Sequence, residues 1–160
     1  MNLIGAILIS LCSYFFGALI ADSEKEKLYT LDALELLFSD MQRKISSLRT
    51  PLYLIFAEFE NERLESLGFL PLLRSQRSLQ PIWSEAVALL DTDGDIKREL
   101  YIFGETLGNL PLDEQLKRIE YCKEIISLSR ASLKKSLPEK QKSIKTVCLL
   151  IGLMTAIILL

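Results

Sequence analysis

Apolar residues recur at steps of three and four along residues 28–48: Leu28, Leu31, Leu34, Leu37, Met41, Ile45 and Leu48. That spacing lines one face of an α-helix and predicts an amphipathic helix with a buried stripe. Thr50-Pro51 breaks it, with Thr50 expected as a cap and Pro51 at the first position of the next helix. The second stripe is Leu52, Ile55, Phe56 and Phe59. Gly68 and Pro71 bound a short, weaker segment, Phe69 to Leu73. Pro81 is expected to open a helix with Trp83, Ala86, Val87 and Leu90 on one face. Asp91-Thr92-Asp93-Gly94 reads as a turn, and Asp95 as the cap of a helix carrying Ile96, Leu100, Phe103 and Leu107. Gly108-Asn109 ends that helix in the usual way for a C-terminus. From Asp113 a long helix runs through Leu116, Ile119, Cys122, Ile126 and Leu133, with Pro138 expected to kink or interrupt it. Alternating β-branched runs and Asn-Gly hairpins are nearly absent. The pattern predicts an all-α chain, an antiparallel bundle of about six helices.

The charges change the picture. All 40 charged side chains lie between Asp22 and Lys145. Leu3 to Ala21 is 19 residues without a charge, long enough to cross a bilayer core as a helix. A cleaved leader is the rival, but no Lys or Arg precedes the run, and Ala18 and Ala21 stand in a poor cleavage register. Thr146 to Leu160 is 15 uncharged residues, and at ~1.5 Å per residue these reach ~22 Å of the ~30 Å core. Ile144 extends the run, while Lys142 and Lys145 can snorkel. An in-plane helix would need a polar face that this run lacks. The expected organisation is a transmembrane helix over 1–21, a helical bundle over 22–143 and a second transmembrane helix over 144–160.

Residues 130–145 hold six cations, Arg130, Lys134, Lys135, Lys140, Lys142 and Lys145, against Glu139 alone. Residues 22–129 hold 13 cations and 20 anions. The five lysines read as a membrane-flanking collar that favours anionic lipid. The same block lacks interleaved aromatics, which speaks against nucleic acid. With Lys25 and Lys27 after the first run, the charge bias places the middle of the chain in the cytoplasm and both termini on the far side.

Candidate chemistry is sparse. The chain has no histidine, which excludes Ser-His-Asp and Cys-His nucleophiles and most zinc sites. Cys12, Cys122 and Cys148 form no C-x-x-C pair and read as small buried hydrophobes. Asp91-x-Asp93-Gly94-Asp95 falls short of a calcium loop, because glycine is fourth and position twelve is Ile102. Gly104 and Gly108 lack the strand and Lys-Ser/Thr of a phosphate loop and read as a close helix contact. Glu58, Glu60, Glu62 and Glu65 form an acidic cluster, a solvated face by default and a docking patch for a basic partner as the sharper reading. No enzyme, cofactor, metal or small-molecule substrate is expected.

The segment Phe103-Gly104-Glu105-Thr106-Leu107-Gly108, followed by Gln115, resembles the stage III sporulation protein AB family of spore-forming bacteria. Thr50-Pro51-Leu52 and Trp83-Ser84-Glu85-Ala86 agree with it in order. Gly104-Glu105-Thr106-Leu107-Gly108-Asn109-Leu110 before a long helix is also similar to the cytoplasmic domain of inner-membrane platform proteins of type II secretion and type IV pili. The chain departs from those in having one bundle and no third span. The resemblance implies a scaffold in the mother-cell membrane around the forespore, part of a secretion-like channel assembled with a cytoplasmic ATPase and other membrane proteins. A platform-type subunit outside sporulation is the alternative. It also implies that Gly104, Glu105, Leu107, Gly108 and Gln115 are the structural motif, with Gln115 bonding within that junction.

Overall fold

A computed structural model of the chain describes residues 2–75 and 79–159, without the side chains of 2–11, 14, 16, 21, 79, 80, 156, 158 and 159. The described residues form seven helices and no strand. They are α1 (Asn2–Leu48), α2 (Leu52–Glu58), α3 (Glu62–Ser66), α4 (Phe69–Leu73), α5 (Leu79–Leu89), α6 (Gly94–Thr106) and α7 (Leu112–Leu159). The chain divides into two compact units, Met1–Leu28 with Ser132–Leu160, and Tyr29–Ala131.

The charged stretch after Ala21 keeps α1 helical, since it holds neither Gly nor Pro and pairs Asp22 with Lys25 and Glu24 with Lys27, each at 3.0 Å and one turn apart. In α7 the helix continues through Pro138. The expected interruption is therefore absent. A proline removes one hydrogen bond, and the flanking Lys, Leu, Glu and Gln are strong helix formers.

Unit Tyr29–Ala131 has the core. The α1 stripe is buried at Leu31, Leu34, Leu37, Met41 and Ile45, joined by Ala33 and Phe38. Leu48, at the stripe's end, is 72% exposed. Ile119, Cys122 and Ile126 bring the matching stripe of α7. Arg130 pairs with Asp32 and Glu35, and Lys123 donates to Gln42 at 3.3 Å, so these portions of α1 and α7 run antiparallel. Arg74, at the end of α4, donates to the Phe56 and Phe59 carbonyls at 3.1 and 2.6 Å, closing the free C-terminal end of α2.

Several boundaries differ from the sequence reading. Pro51, extended at φ −61° and ψ 144°, is itself the N-cap of α2, and Leu54 and Ile55 donate to its carbonyl. Asp93 rather than Asp95 is the N-cap of α6, with Asp95 in the first turn beside the positive helix end. The helix expected from Pro81 opens two residues earlier at Leu79. The acidic cluster does not share one helix: Glu58 ends α2, Glu60 lies in the connector, and Glu62 and Glu65 are on α3.

In the other unit, Ser13 Oγ donates to the Cys148 carbonyl at 2.5 Å, and Lys140 meets Glu24 at 3.3 Å, again an antiparallel pair. Gly17 is buried there. A β-carbon at Gly17 would lie 2.8 Å from Cys148 Cβ and 3.0 Å from its Sγ. Among the described residues no helix is long and apolar enough to cross a membrane. The expected spans are helical over 2–21 and 144–159, while Met1, Leu160 and the side chains of 2–11 lie outside the described residues.

Candidate functional site

The Gly-x-x-Leu-Gly motif sits where α6 ends and α7 begins, and its two glycines do different things. Gly104 is buried in α6 against Trp83 of α5. A β-carbon there would come 2.2 Å from Trp83 Cδ1 and 3.0 Å from Cγ and Nε1. The missing side chain lets the indole lie on the helix backbone, where Nε1–H donates to the Leu100 carbonyl at 2.7 Å. Trp83 is fully buried, with the rings of Phe38, Phe56, Phe69 and Phe103 at centroid distances of 6.4, 6.0, 5.6 and 5.3 Å. Such pairs add ~0.5–1.5 kcal/mol each beyond the area they bury.

Gly108 serves the backbone instead. Its φ of 78° is left-handed, and nothing lies within 4 Å of where its β-carbon would be. Leu107 at φ −59° and ψ 122° precedes it, and Asn109 N–H donates to the Thr106 carbonyl at 3.2 Å. These are the marks of a type II turn, which favours glycine at its third position. The expected close helix contact thus holds for Gly104 and not for Gly108. Leu107 is buried and anchors the turn in the core, whereas Glu105 is exposed.

After the turn, Pro111 accepts from Gln115 N–H at 2.9 Å as α7 starts. The half-buried Gln115 lies in a cleft of about 390 Å³ with Gly108, Leu112 and the Thr50-Pro51-Leu52 segment. The structure therefore brings together two sequence motifs more than 50 residues apart. Arg49, on the rim of the cleft, holds a left-handed φ of 50° and closes α1 by donating to the Ile45 carbonyl at 3.2 Å. The sequence gives no sign of this conformation, because arginine stands where glycine is usual.

Lys134, Lys135, Lys140 and Lys142 are exposed and Lys145 is half-buried. Lys140 shares Glu24 with Lys27, and the hydrogen bond from Lys27 does most to hold the Glu24 carboxyl below the ordinary value. Cys122 behaves as a packing residue: burial pushes its thiol up to about 12, which keeps it protonated and poorly nucleophilic. Among the described residues no group of His, Cys, Asp and Glu is placed to hold a metal. The motif residues do architectural work, a ring stacked on a helix and a turn redirecting the chain.

A family model described as stage III sporulation protein AB matches residues 2–160. No curated protein and no solved structure gives a match.

Proposed function

The chain belongs to the stage III sporulation protein AB family, and on that premise we propose that it is a non-enzymatic membrane scaffold of a secretion-like channel between mother cell and forespore. In this reading residues 1–21 and 144–160 anchor it in the mother-cell membrane. The bundle between them faces the cytoplasm and couples a secretion-type ATPase to other membrane proteins of the complex. It takes no cofactor and no small-molecule substrate.

The observation that carries the reading is the match of the family across the whole chain. Three features support it. The ends of the chain hold no charge, and the lysines from 134 to 145 stand beside the second uncharged run. The helices flanking Gly17 and Cys148 approach closely through small residues, a contact suited to a lipid setting where apolar surface alone does not drive association. The motif glycines serve packing and the turn of the chain within the bundle, roles that suit a structural protein.

The test is deletion of the coding region. Development should arrest after engulfment while vegetative growth is normal, and the full chain supplied in trans should restore spores. Normal spore yield in the deletion strain would refute the reading. Restoration by residues 22–143 alone would refute the anchoring.

A further inference from the structure

Away from the motif, α1 keeps a second face open. Asp32, Glu35, Leu36 and Ser39, with Arg130 of α7, line one hollow of about 400 Å³. Leu36, Ser39, Asp40 and Arg43, with the Phe59-Glu60-Asn61 connector, line another of about 380 Å³. The two share Leu36 and Ser39 and so form one groove along roughly three turns of α1. Its walls are α7 on one side and the α2–α3 connector on the other. Leu36, at its centre, is 58% exposed, beside the fully buried Leu34 and Leu37.

The groove has an acidic excess. Asp32, Glu35, Asp40 and Glu60 outnumber Arg43 and Arg130. Asp40 is balanced by Arg43 at 2.5 Å and Lys44 at 3.2 Å, whereas Asp32 and Glu35 share the single Arg130, so the surplus lies with that pair and Glu60. The excess stops at the rim, where Glu58 and Glu65 are paired with Lys44 and Arg74 at 3.0 and 3.1 Å. Acidic residues at the start of α3 suit a helix N-terminus, but that does not account for Asp32, Glu35 and Asp40 around an exposed leucine on α1.

We propose that this groove docks a basic segment of a partner protein, one apolar side chain resting on Leu36 and Lys or Arg side chains facing Asp32, Glu35 and Glu60. The geometry is that of a segment laid into a groove, with an apolar anchor for affinity and charge for orientation. The same charge repels anionic lipid and nucleic acid. The inference rests on the scaffold reading only for where the partner comes from. Binding is measured on the purified chain, so failure of the groove and failure of the sporulation phenotype are told apart.

The test uses the full chain in nanodiscs of zwitterionic lipid and a fluorescent oligolysine peptide with one central leucine. Anisotropy should report binding that weakens as salt rises. Replacing the peptide's leucine by Gln, or introducing Leu36→Lys in the protein, should each weaken it about tenfold or more, as expected for one buried leucine. Glu60→Lys, in an exposed connector, should weaken it independently, which keeps the test decisive if Leu36→Lys fails to fold. Failure of the peptide to bind, equal binding to both variants, or equal binding of a peptide with Glu in place of Lys would overturn the proposal. Tighter binding of a peptide copying residues 130–146, with self-association lost in Leu36→Lys, would also overturn it by giving the groove to a second copy.

Discussion

The indole of Trp83 lies where the side chain of residue 104 would be, and Gly104 is the residue that permits it. The contact joins α5 to α6 at the centre of the aromatic core, with Nε1 tied to the Leu100 carbonyl one turn earlier.

Gly104→Ala should therefore destabilise the full chain by about 1–3 kcal/mol, the range for overpacking a well-filled core. Trp83→Ala should cost about 3–5 kcal/mol. In the double variant the clash disappears, so the two losses should sum to more than the measured total. Urea melts of the four proteins give the coupling, and strict additivity would remove Gly104 from contact with the ring.

Gly108→Ala acts through the backbone. With open space at the β-carbon but a φ of 78°, it should cost about 1–2 kcal/mol. Gly108→Asn should cost less, since asparagine tolerates this region better. Arg49→Gly, relieving a φ of 50°, should be neutral to stabilising. Melting curves check all three, and equal stability of Ala and Gly at 108 would contradict the turn.

Glu24 predicts a pH effect with a definite sign. Lys27 first, then Lys140, favour its ionised form and lower its pKa from the ordinary 4.5. Its contribution to stability is complete above that value and disappears as the pH falls through the lowered one. Glu24→Gln should therefore lower stability by a constant amount at neutral and alkaline pH, with the loss vanishing as the pH falls through the lowered value, where the parent glutamate is itself protonated. A loss that is largest at acid pH and fades toward neutrality would contradict the assignment.

Gly17→Leu should part the two helices at Cys148. The added side chain starts from a β-carbon 2.8 Å from Cys148 Cβ. A membrane-permeant maleimide should then label Cys148 faster than in the parent, with Cys122, buried in the other unit, as the internal control. Unchanged labelling would show that the seam does not hold the pair.

Much of the helical architecture was legible because it is local. The 28–48 stripe, the Phe69–Leu73 segment and the Trp83-Ala86-Val87-Leu90 face follow from periodicity, and their side chains are largely buried. Interactions between distant residues were not legible. Gly104 and Gly108 look alike in sequence, yet one answers to a tryptophan 21 residues away and the other to a turn. The Asn109-Leu110-Pro111 that follows Gly108 was the local hint of that turn. Pro51 and Asp93 each sit one step outside their helices, a shift that periodicity does not resolve. The continuation of α7 through Pro138 depends on its neighbours outweighing one lost hydrogen bond. Leu36 is off the buried stripe, and only the placement of Arg130 and the Phe59–Asn61 connector beside it makes a groove.

The central proposal, that the uncharged ends of α1 and α7 fix this bundle to a membrane, is tested most directly by extraction. Membranes carrying the full chain should retain it in the pellet through washes in high salt and in alkaline carbonate, and release it only in detergent. Release of the chain into the carbonate supernatant would contradict the account.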